Sequence, residues 1–166
     1  SKTEINSLPL RYYSGPIGII KTAVHAKEAY AILIKEKTLG FDTETRPAFN
    51  KGQSYLPSLL QMAGRKVVYL FQLSKCGLSD SIINLLSIDY IIKSGVAINQ
   101  DLIELQQISN FYTAGFIDLG DIARSKVNMS IPNPNSINII DLKLVHQKFA
   151  TRRAANIFGS IFKRIF

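Results

Sequence analysis

The stretch LGFDTETRP at residues 39–47 decides both the fold and the candidate site of this chain. Its apolar beginning ends in two carboxylates, Asp42 and Glu44, which are separated by one residue. Alternate side chains of a β-strand share a face, so Asp42 and Glu44 are predicted to point one way and Thr43 the other. Pro47 lacks a backbone donor and is predicted to end the strand.

Two carboxylates at the end of a buried strand stay ionised only if a cation compensates their charge. Oxygen ligands of this kind suit a hard divalent ion, Mg²⁺ or Mn²⁺. The spacing alone also allows a simpler interpretation, in which Asp42 caps a turn and Glu44 is solvated. The first motif therefore indicates a metal site without proving one.

The composition predicts a single globular domain spanning residues 1–166, because 46% of the residues are hydrophobic. Cys76 is the only cysteine, which excludes an internal disulfide and favours a reducing, cytoplasmic compartment. No apolar run is long enough for a membrane span. The net charge is +8, and residues 142–166 carry six cations and no acid. Such a basic segment beside an acidic site favours a polyanionic partner.

Hydrophobic periodicity predicts strands alternating with helices, interrupted by one hairpin. The alternation predicts a mixed, mostly parallel sheet with helices on both faces. The predicted strands are residues 8–11, 17–21, 39–44, 58–63, 66–71, 90–98 and 115–119. The predicted helices are residues 24–36, 79–86, 100–107, 121–127, 137–149 and 152–166.

A second acidic motif, KSGVAINQDL, occupies residues 93–102. It predicts a strand that runs into a helix capped by Asn99, with Asp101 in the first turn. An acid in the first helical turn stabilises the helix by about 0.3 to 1 kcal/mol without any further function. However, the carboxyl ends of strands in an open sheet meet at one edge. We therefore expect Asp101 to lie near Asp42 and Glu44.

GFDTET at residues 40–45 and KSGVAINQDL resemble the first and second motifs of the ribonuclease D-like 3'-5' exonucleases of the DEDD superfamily. The resemblance implies a ribonuclease H-like fold with its second core strand antiparallel. It also implies metal-dependent hydrolysis of phosphodiester bonds at the 3' end of RNA or single-stranded DNA. By the same resemblance, Asp42, Glu44 and Asp101 would hold two Mg²⁺ or Mn²⁺ ions.

The third motif of that family, a tyrosine or histidine shortly before a final aspartate, has no counterpart in this sequence. No acid follows Asp141. The second metal is therefore expected to bind weakly, and the alternative function is a catalytically impaired module that binds nucleic acid or a protein. An atypical or truncated C-terminal part is an equally good explanation of the missing motif.

Contacts to nucleic acid are predicted for residues that could stack on bases, pair with phosphates or follow the acidic strands. These are Thr43, Arg46, Phe49, Tyr55, Asn99, Arg152 and Arg153. Simple loop packing explains the two loop aromatics equally well. Residues 156–166 carry apolar pairs at helical spacing, which predicts a helix that packs on the sheet or on a second copy of the chain as a homo-oligomer.

Overall fold

The computed structural model describes residues 13–46, 48, 50 and 52–122. Within these ranges, strands and helices alternate after a first strand, and one hairpin interrupts the alternation, as the sequence predicts. The strands are β1 (Ile17–Ile20), β2 (Thr38–Thr45), β3 (Pro57–Ala63), β4 (Val68–Gln72), β5 (Ile92–Gly95) and β6 (Phe116–Asp118). The helices are α1 (Ala23–Leu33), α2 (Leu73–Cys76), α3 (Asp80–Ser87) and α4 (Ile98–Ile108).

The described strands form one six-stranded sheet in the order β1-β4-β3-β2-β5-β6. β3 runs antiparallel to both of its neighbours, β2 and β4, whereas the other neighbouring strands are parallel. The predicted mixed sheet with an antiparallel core strand is confirmed. The two central strands, β2 and β3, therefore present the acidic motif in the middle of the sheet.

One face of the sheet carries the main hydrophobic core. Phe41 of β2 and Met62 of β3 are paired across the strands, and both belong to this core. The helices α1 to α4 all bury side chains in this same cluster, for example Leu33 of α1, Leu85 of α3 and Leu105 of α4, so these four lie on one face and not on both faces as the sequence predicted. A smaller cluster on the opposite face contains Leu59, Ala63, Val68 and Leu70. Asp42 and Glu44 alternate onto this second face.

The ends of α1 and of the hairpin follow from local chemistry. The Thr22 hydroxyl accepts a hydrogen bond from the backbone N–H of His25 at 3.2 Å, so Thr22 is the N-cap of α1. The N–H of Gly64 donates to the carbonyl of Val67 at 2.9 Å and closes the turn between β3 and β4. This turn fixes the register between β3 and β4.

Lys93 of β5 is completely buried, although lysine is rarely found without solvent contact. Its ammonium group donates to the carbonyl of Ile88, which follows α3, and lies 5.0 Å from the ring centroid of Phe116. Burial lowers the pKa of Lys93 to about 8, against a smaller opposing effect of Asp89. The side chain thus ties β5 to the end of α3 and to β6.

The junction between β5 and α4 differs from its prediction. β5 ends at Gly95 and α4 begins at Ile98, whereas the sequence predicted a strand to residue 98 and a cap at Asn99. The residue before the helix is Ala97, which adopts the left-handed conformation with φ 58°. Asn99 is an exposed residue within the first turn of α4. A turn that tight is invisible to periodicity, because Ala97 is an unusual residue for positive φ.

Other predictions lie partly or wholly outside the described residues. They include the first predicted strand, most of the predicted helix at residues 121–127, and both C-terminal helices. The short helix α2 was not predicted. Among the described helices, none combines the length and the apolar character that crossing a membrane would need.

Candidate active site

Asp42 lies near the carboxyl end of β2, where it is partly buried. Its Oδ1 accepts a hydrogen bond from the N–H of Thr43 at 3.0 Å. Burial, together with the charges of Glu44 and Asp101, raises the pKa of Asp42 to about 7 against the lowering effect of that hydrogen bond. A carboxyl group with this pKa is held in surroundings that disfavour its charge.

Glu44 follows two residues later on the same face of β2. Its Oε1 accepts a hydrogen bond from the amide nitrogen of Gln61 on β3 at 3.4 Å. Burial raises the pKa of Glu44; the Gln61 hydrogen bond acts in the opposite direction, and the charge of Asp101 adds to the increase. The register explains this contact, because Gln61 pairs directly with Asp42 and is therefore a diagonal neighbour of Glu44.

Asp101 approaches β2 from the first turn of α4. Its Oδ1 accepts a hydrogen bond of 2.5 Å from the hydroxyl of Thr43, which lies on the face of β2 opposite to Asp42 and Glu44. Burial raises the pKa of Asp101, and the nearby charge of Glu104 adds to the increase. Asp101 is close enough to raise the pKa of Asp42 and of Glu44 as well. Asp42, Glu44 and Asp101 together are called the acidic site below.

The local sequence explains how α4 reaches this position. Gly95 ends β5 against β2, and a Cβ atom at this residue would overlap with the backbone carbonyl of Phe41. Ala97 then turns the chain, and the Oδ2 of Asp118 accepts from the N–H of Ile98 at 3.1 Å. The start of α4 is thus fixed by a glycine, by a tight turn and by a carboxylate from β6.

The Asp118 carboxylate takes the place of the missing side-chain cap of α4. Burial alone would raise the pKa of Asp118, but hydrogen bonds from the backbone N–H groups of Gly120, Ala97, Ile98 and Asp121 outweigh it and hold the pKa below its usual value. Because this carboxylate accepts hydrogen bonds from several backbone N–H groups, it stabilises the start of α4 and is not counted in the acidic site.

The chemistry of the acidic site suits a hard divalent cation. Its ligands are carboxylate oxygens. Burial, together with the charge of Asp101, raises the pKa of Asp42 and of Glu44, and a bound cation would offset both effects. Across the part of the chain that the structure describes, no three His, Cys, Asp or Glu side chains form a group compact enough to hold one ion. An ion here would therefore take one or two carboxylates of the chain and complete its shell with water or phosphate oxygens, as Mg²⁺ commonly does.

The residues predicted to contact nucleic acid have different surroundings. The guanidinium carbon of Arg46 lies 4.1 Å from the ring centroid of Tyr55, whose hydroxyl donates to Gln53 at 3.2 Å. Thr43 is buried and donates to Asp101, so a contact from this hydroxyl to nucleic acid would require that bond to break. Asn99 is exposed. The remaining three, Phe49, Arg152 and Arg153, lie outside the described residues.

The sequence analysis missed Gln61 and Asp118 as supports of the acidic site. A signal for Gln61 was present, because a polar residue interrupts an apolar strand of a predicted hairpin. Placing it opposite Asp42 needed the register between β2 and β3, which no local pattern supplies. No local signal points to Asp118, because its contact with Ile98 joins residues 20 positions apart.

No family model matches the sequence, and no curated protein matches it. Solved structures do match the fold. The crystal structure of the EXD2 exonuclease domain is similar with a TM-score of 0.60 and 25% sequence identity, covering 69% of this chain and 62% of that chain. The chain has the DEDD 3'-5' exonuclease fold. The predicted ribonuclease H-like architecture is thereby confirmed.

Two other structures share this exonuclease fold at lower sequence identity. The EXO domain of Aedes aegypti Nibbler has a TM-score of 0.63 and 17% identity, covering 86% of this chain and 73% of that chain. The Trypanosoma brucei RNase D:GMP complex has a TM-score of 0.54 and 24% identity, covering 63% of this chain and 33% of that chain. This chain thus spans less than two thirds of the EXD2 domain and about a third of that RNase D.

Proposed function

We propose that this chain is a metal-dependent 3'-5' exonuclease domain that hydrolyses phosphodiester bonds at the 3' end of RNA or single-stranded DNA. The observation that carries the proposal is the electrostatic coupling of Asp42, Glu44 and Asp101 on an exonuclease fold. Buried acids whose pKa is raised further by a neighbouring acid cost the folded chain stability when they ionise, and a cationic ligand would offset that cost.

Mg²⁺ or Mn²⁺ is the cofactor that we propose. EXD2 exonuclease domain crystals have been soaked in Mg and GMP and in Mn, and the acidic site offers the same class of oxygen ligand that these ions prefer. Asp42, Glu44 and Asp101 would hold the metal. When bound, a pair of such ions supplies charge stabilisation for the scissile phosphate and a more acidic water.

The chain's own residues arrange the acids for this role. Thr43 orients the Asp101 carboxylate through its hydroxyl, and Gln61 orients the Glu44 carboxylate through its amide nitrogen. Asp42, between them, must lose its proton before it can bind a cation. These hydrogen bonds limit the rotation of carboxylates that would otherwise repel each other.

Substrate binding is proposed at the end of β2, beyond Glu44. Arg46 is exposed and stacked on Tyr55, so its guanidinium can pair with a phosphate while the aromatic ring remains beside it for a base. The net charge of +8 favours a polyanion over a neutral ligand. The substrate class is proposed as single-stranded because stacking on aromatic rings requires unpaired bases.

A direct test is a nuclease assay with a 5'-labelled single-stranded oligonucleotide and Mn²⁺. The proposal predicts a ladder of products shortened from the 3' end, which disappears when EDTA is added or when Asp42→Asn replaces the wild type. Glu28→Gln, an exposed substitution on α1, is the matched control and should leave the ladder intact. Oligonucleotide binding without any shortening at high protein concentration would instead indicate a catalytically impaired binding module.

A further inference from the structure

Gln61 is an unusual residue for its position in β3. It is completely buried, and its strand neighbours on the same face are Leu59 and Ala63. Its partner on β4 is Leu70, which is also completely buried. On the β2 side Gln61 meets polar groups, because it pairs with Asp42 and lies diagonal to Glu44. An apolar side chain would suit the contacts with Leu59, Ala63 and Leu70, and only the acids on β2 favour a polar one.

The two ends of the Gln61 amide are satisfied unequally. The nitrogen donates to Oε1 of Glu44 at 3.4 Å, and the reverse orientation of the amide would place two acceptor oxygens together. The amide oxygen is buried and has no hydrogen-bond partner among the described residues. A buried acceptor without a donor costs about 1 to 3 kcal/mol, so such a group calls for an explanation.

The neighbouring residues do not supply the missing donor. Once they are ionised to bind a cation, the carboxylates of Asp42 and Glu44 only accept hydrogen bonds. Leu59, Ala63 and Leu70 offer no polar side chain at all. No group among the described residues donates to this oxygen, and beside two carboxylates the chemically matched donor is water in the hydration shell of a divalent cation.

We propose that Gln61 is a positioning residue of the acidic site. Its amide nitrogen holds Glu44, and its amide oxygen accepts a hydrogen bond from a water of hydration of the bound cation. This inference rests on the proposed function, because it requires a divalent ion at the acidic site. It adds a neutral side chain on the antiparallel strand to the residues that determine metal affinity.

The test measures Mn²⁺ binding to the full chain by electron paramagnetic resonance, together with the thermal stability of the metal-free chain. Gln61→Met keeps the volume of the side chain but removes both hydrogen-bonding groups. The expected result is a Kd for Mn²⁺ that is about 10- to 100-fold higher than in the wild type, as for other outer partners of metal ligands. The Tm of the metal-free variant should equal or exceed that of the wild type, because a buried unpaired acceptor has been removed.

Gln61→Asn is the second variant, since it keeps an amide but withdraws it from Glu44 by one methylene, and it should also weaken Mn²⁺ binding. Gln107→Met, at an exposed position of α4, is the matched control and should bind as the wild type does. A wild-type Kd in both Gln61 variants, with binding still lost in Asp42→Asn, would overturn this inference and leave the metal site standing. Absence of Mn²⁺ binding in the wild type would overturn both proposals.

Discussion

At the scale of the residue, the acidic site places partly buried carboxylates close enough for their charges to repel. The effect on Asp42 is large, because burial and two neighbouring acids raise its pKa to about 7. Glu44 and Asp101 are shifted in the same direction. Each of these groups is therefore harder to ionise in the metal-free folded chain than in the unfolded chain. Stability and metal binding should consequently depend on pH in opposite ways.

Asp42→Asn should stabilise the metal-free chain at pH 8. Between pH 4 and 7 the folded state retains the Asp42 proton that the unfolded state has lost, so the free energy of unfolding falls as the pH rises. Asparagine removes the ionisation and keeps an oxygen for the Thr43 N–H. We expect a gain of about 1 to 3 kcal/mol at pH 8 and little change at pH 4, since one pKa unit corresponds to 1.36 kcal/mol.

Urea denaturation in EDTA at pH 4, 6 and 8 measures this effect. Glu28→Gln is the control for removing an exposed acid and should follow the wild-type profile. A variant at Asp42 that is less stable than the wild type at pH 8 would contradict the assigned electrostatics. With Mn²⁺ present the wild type should become more stable than Asp42→Asn, because only the wild type gains stability from binding the ion.

Thr43→Val should weaken Mn²⁺ binding about 10-fold by releasing the carboxylate of Asp101. Valine matches the shape of threonine, so the packing of Thr43 against the core is retained. Thr43→Ser keeps the hydroxyl and should restore the wild-type Kd, which a purely structural role for the threonine methyl would not allow. Isothermal titration with MnCl₂ gives the comparison, and equal affinities for valine and serine would refute the positioning role of Thr43.

At the scale of the element, α4 is the piece whose placement the acidic site depends on. It begins after a left-handed Ala97, and β6 supplies its cap through Asp118. β5 approaches β2 closely because Gly95 has no side chain to separate it from Phe41. A helix that began two residues later, as the sequence suggested, would present a different face to β2.

Asp118→Ala should destabilise the chain by about 1 to 2 kcal/mol, the usual cost of losing a helix cap. The loss should appear first as faster amide hydrogen exchange at Ala97 and Ile98, which donate to this carboxylate. Asp118→Asn retains one acceptor oxygen and should lose less stability than Asp118→Ala. Unchanged exchange at these two amides in the alanine variant would show that Asp118 does not cap α4.

The sequence predicted those elements whose signals are local. The 39–44 strand, the hairpin at Gly64 and the Thr22 cap could all be recognised from alternation and turn chemistry. The features that it could not predict join residues far apart in the sequence: Asp118 with Ile98, and Gln61 with Glu44. Their positions are set by sheet register and by tertiary packing, which no short window of sequence contains.

At the scale of the whole molecule, the sheet separates the main hydrophobic core on one face from a smaller cluster on the other. The face with the main core receives all four described helices and brings Asp101 towards Thr43. The opposite face carries the smaller cluster, with Asp42, Glu44 and Gln61 along its polar side. The acidic site therefore spans the end of β2 from one face of the sheet to the other.

This arrangement explains why the acids influence one another without forming a compact group of three within the described residues. A cation bound between two of them would still lower the repulsion felt by the third, since electrostatic interactions act over several ångströms in a partly buried site. The central claim is thus that divalent ions bind where the end of β2 meets the start of α4.

Anomalous X-ray scattering from crystals soaked in MnCl₂ tests this claim most directly. The account predicts an anomalous peak about 2 to 2.5 Å from a carboxylate oxygen of Asp42, shared with Glu44 or Asp101, and no such peak in Asp42→Asn crystals. A peak that persists unchanged in Asp42→Asn crystals, or manganese found only at sites remote from these three acids, would contradict it.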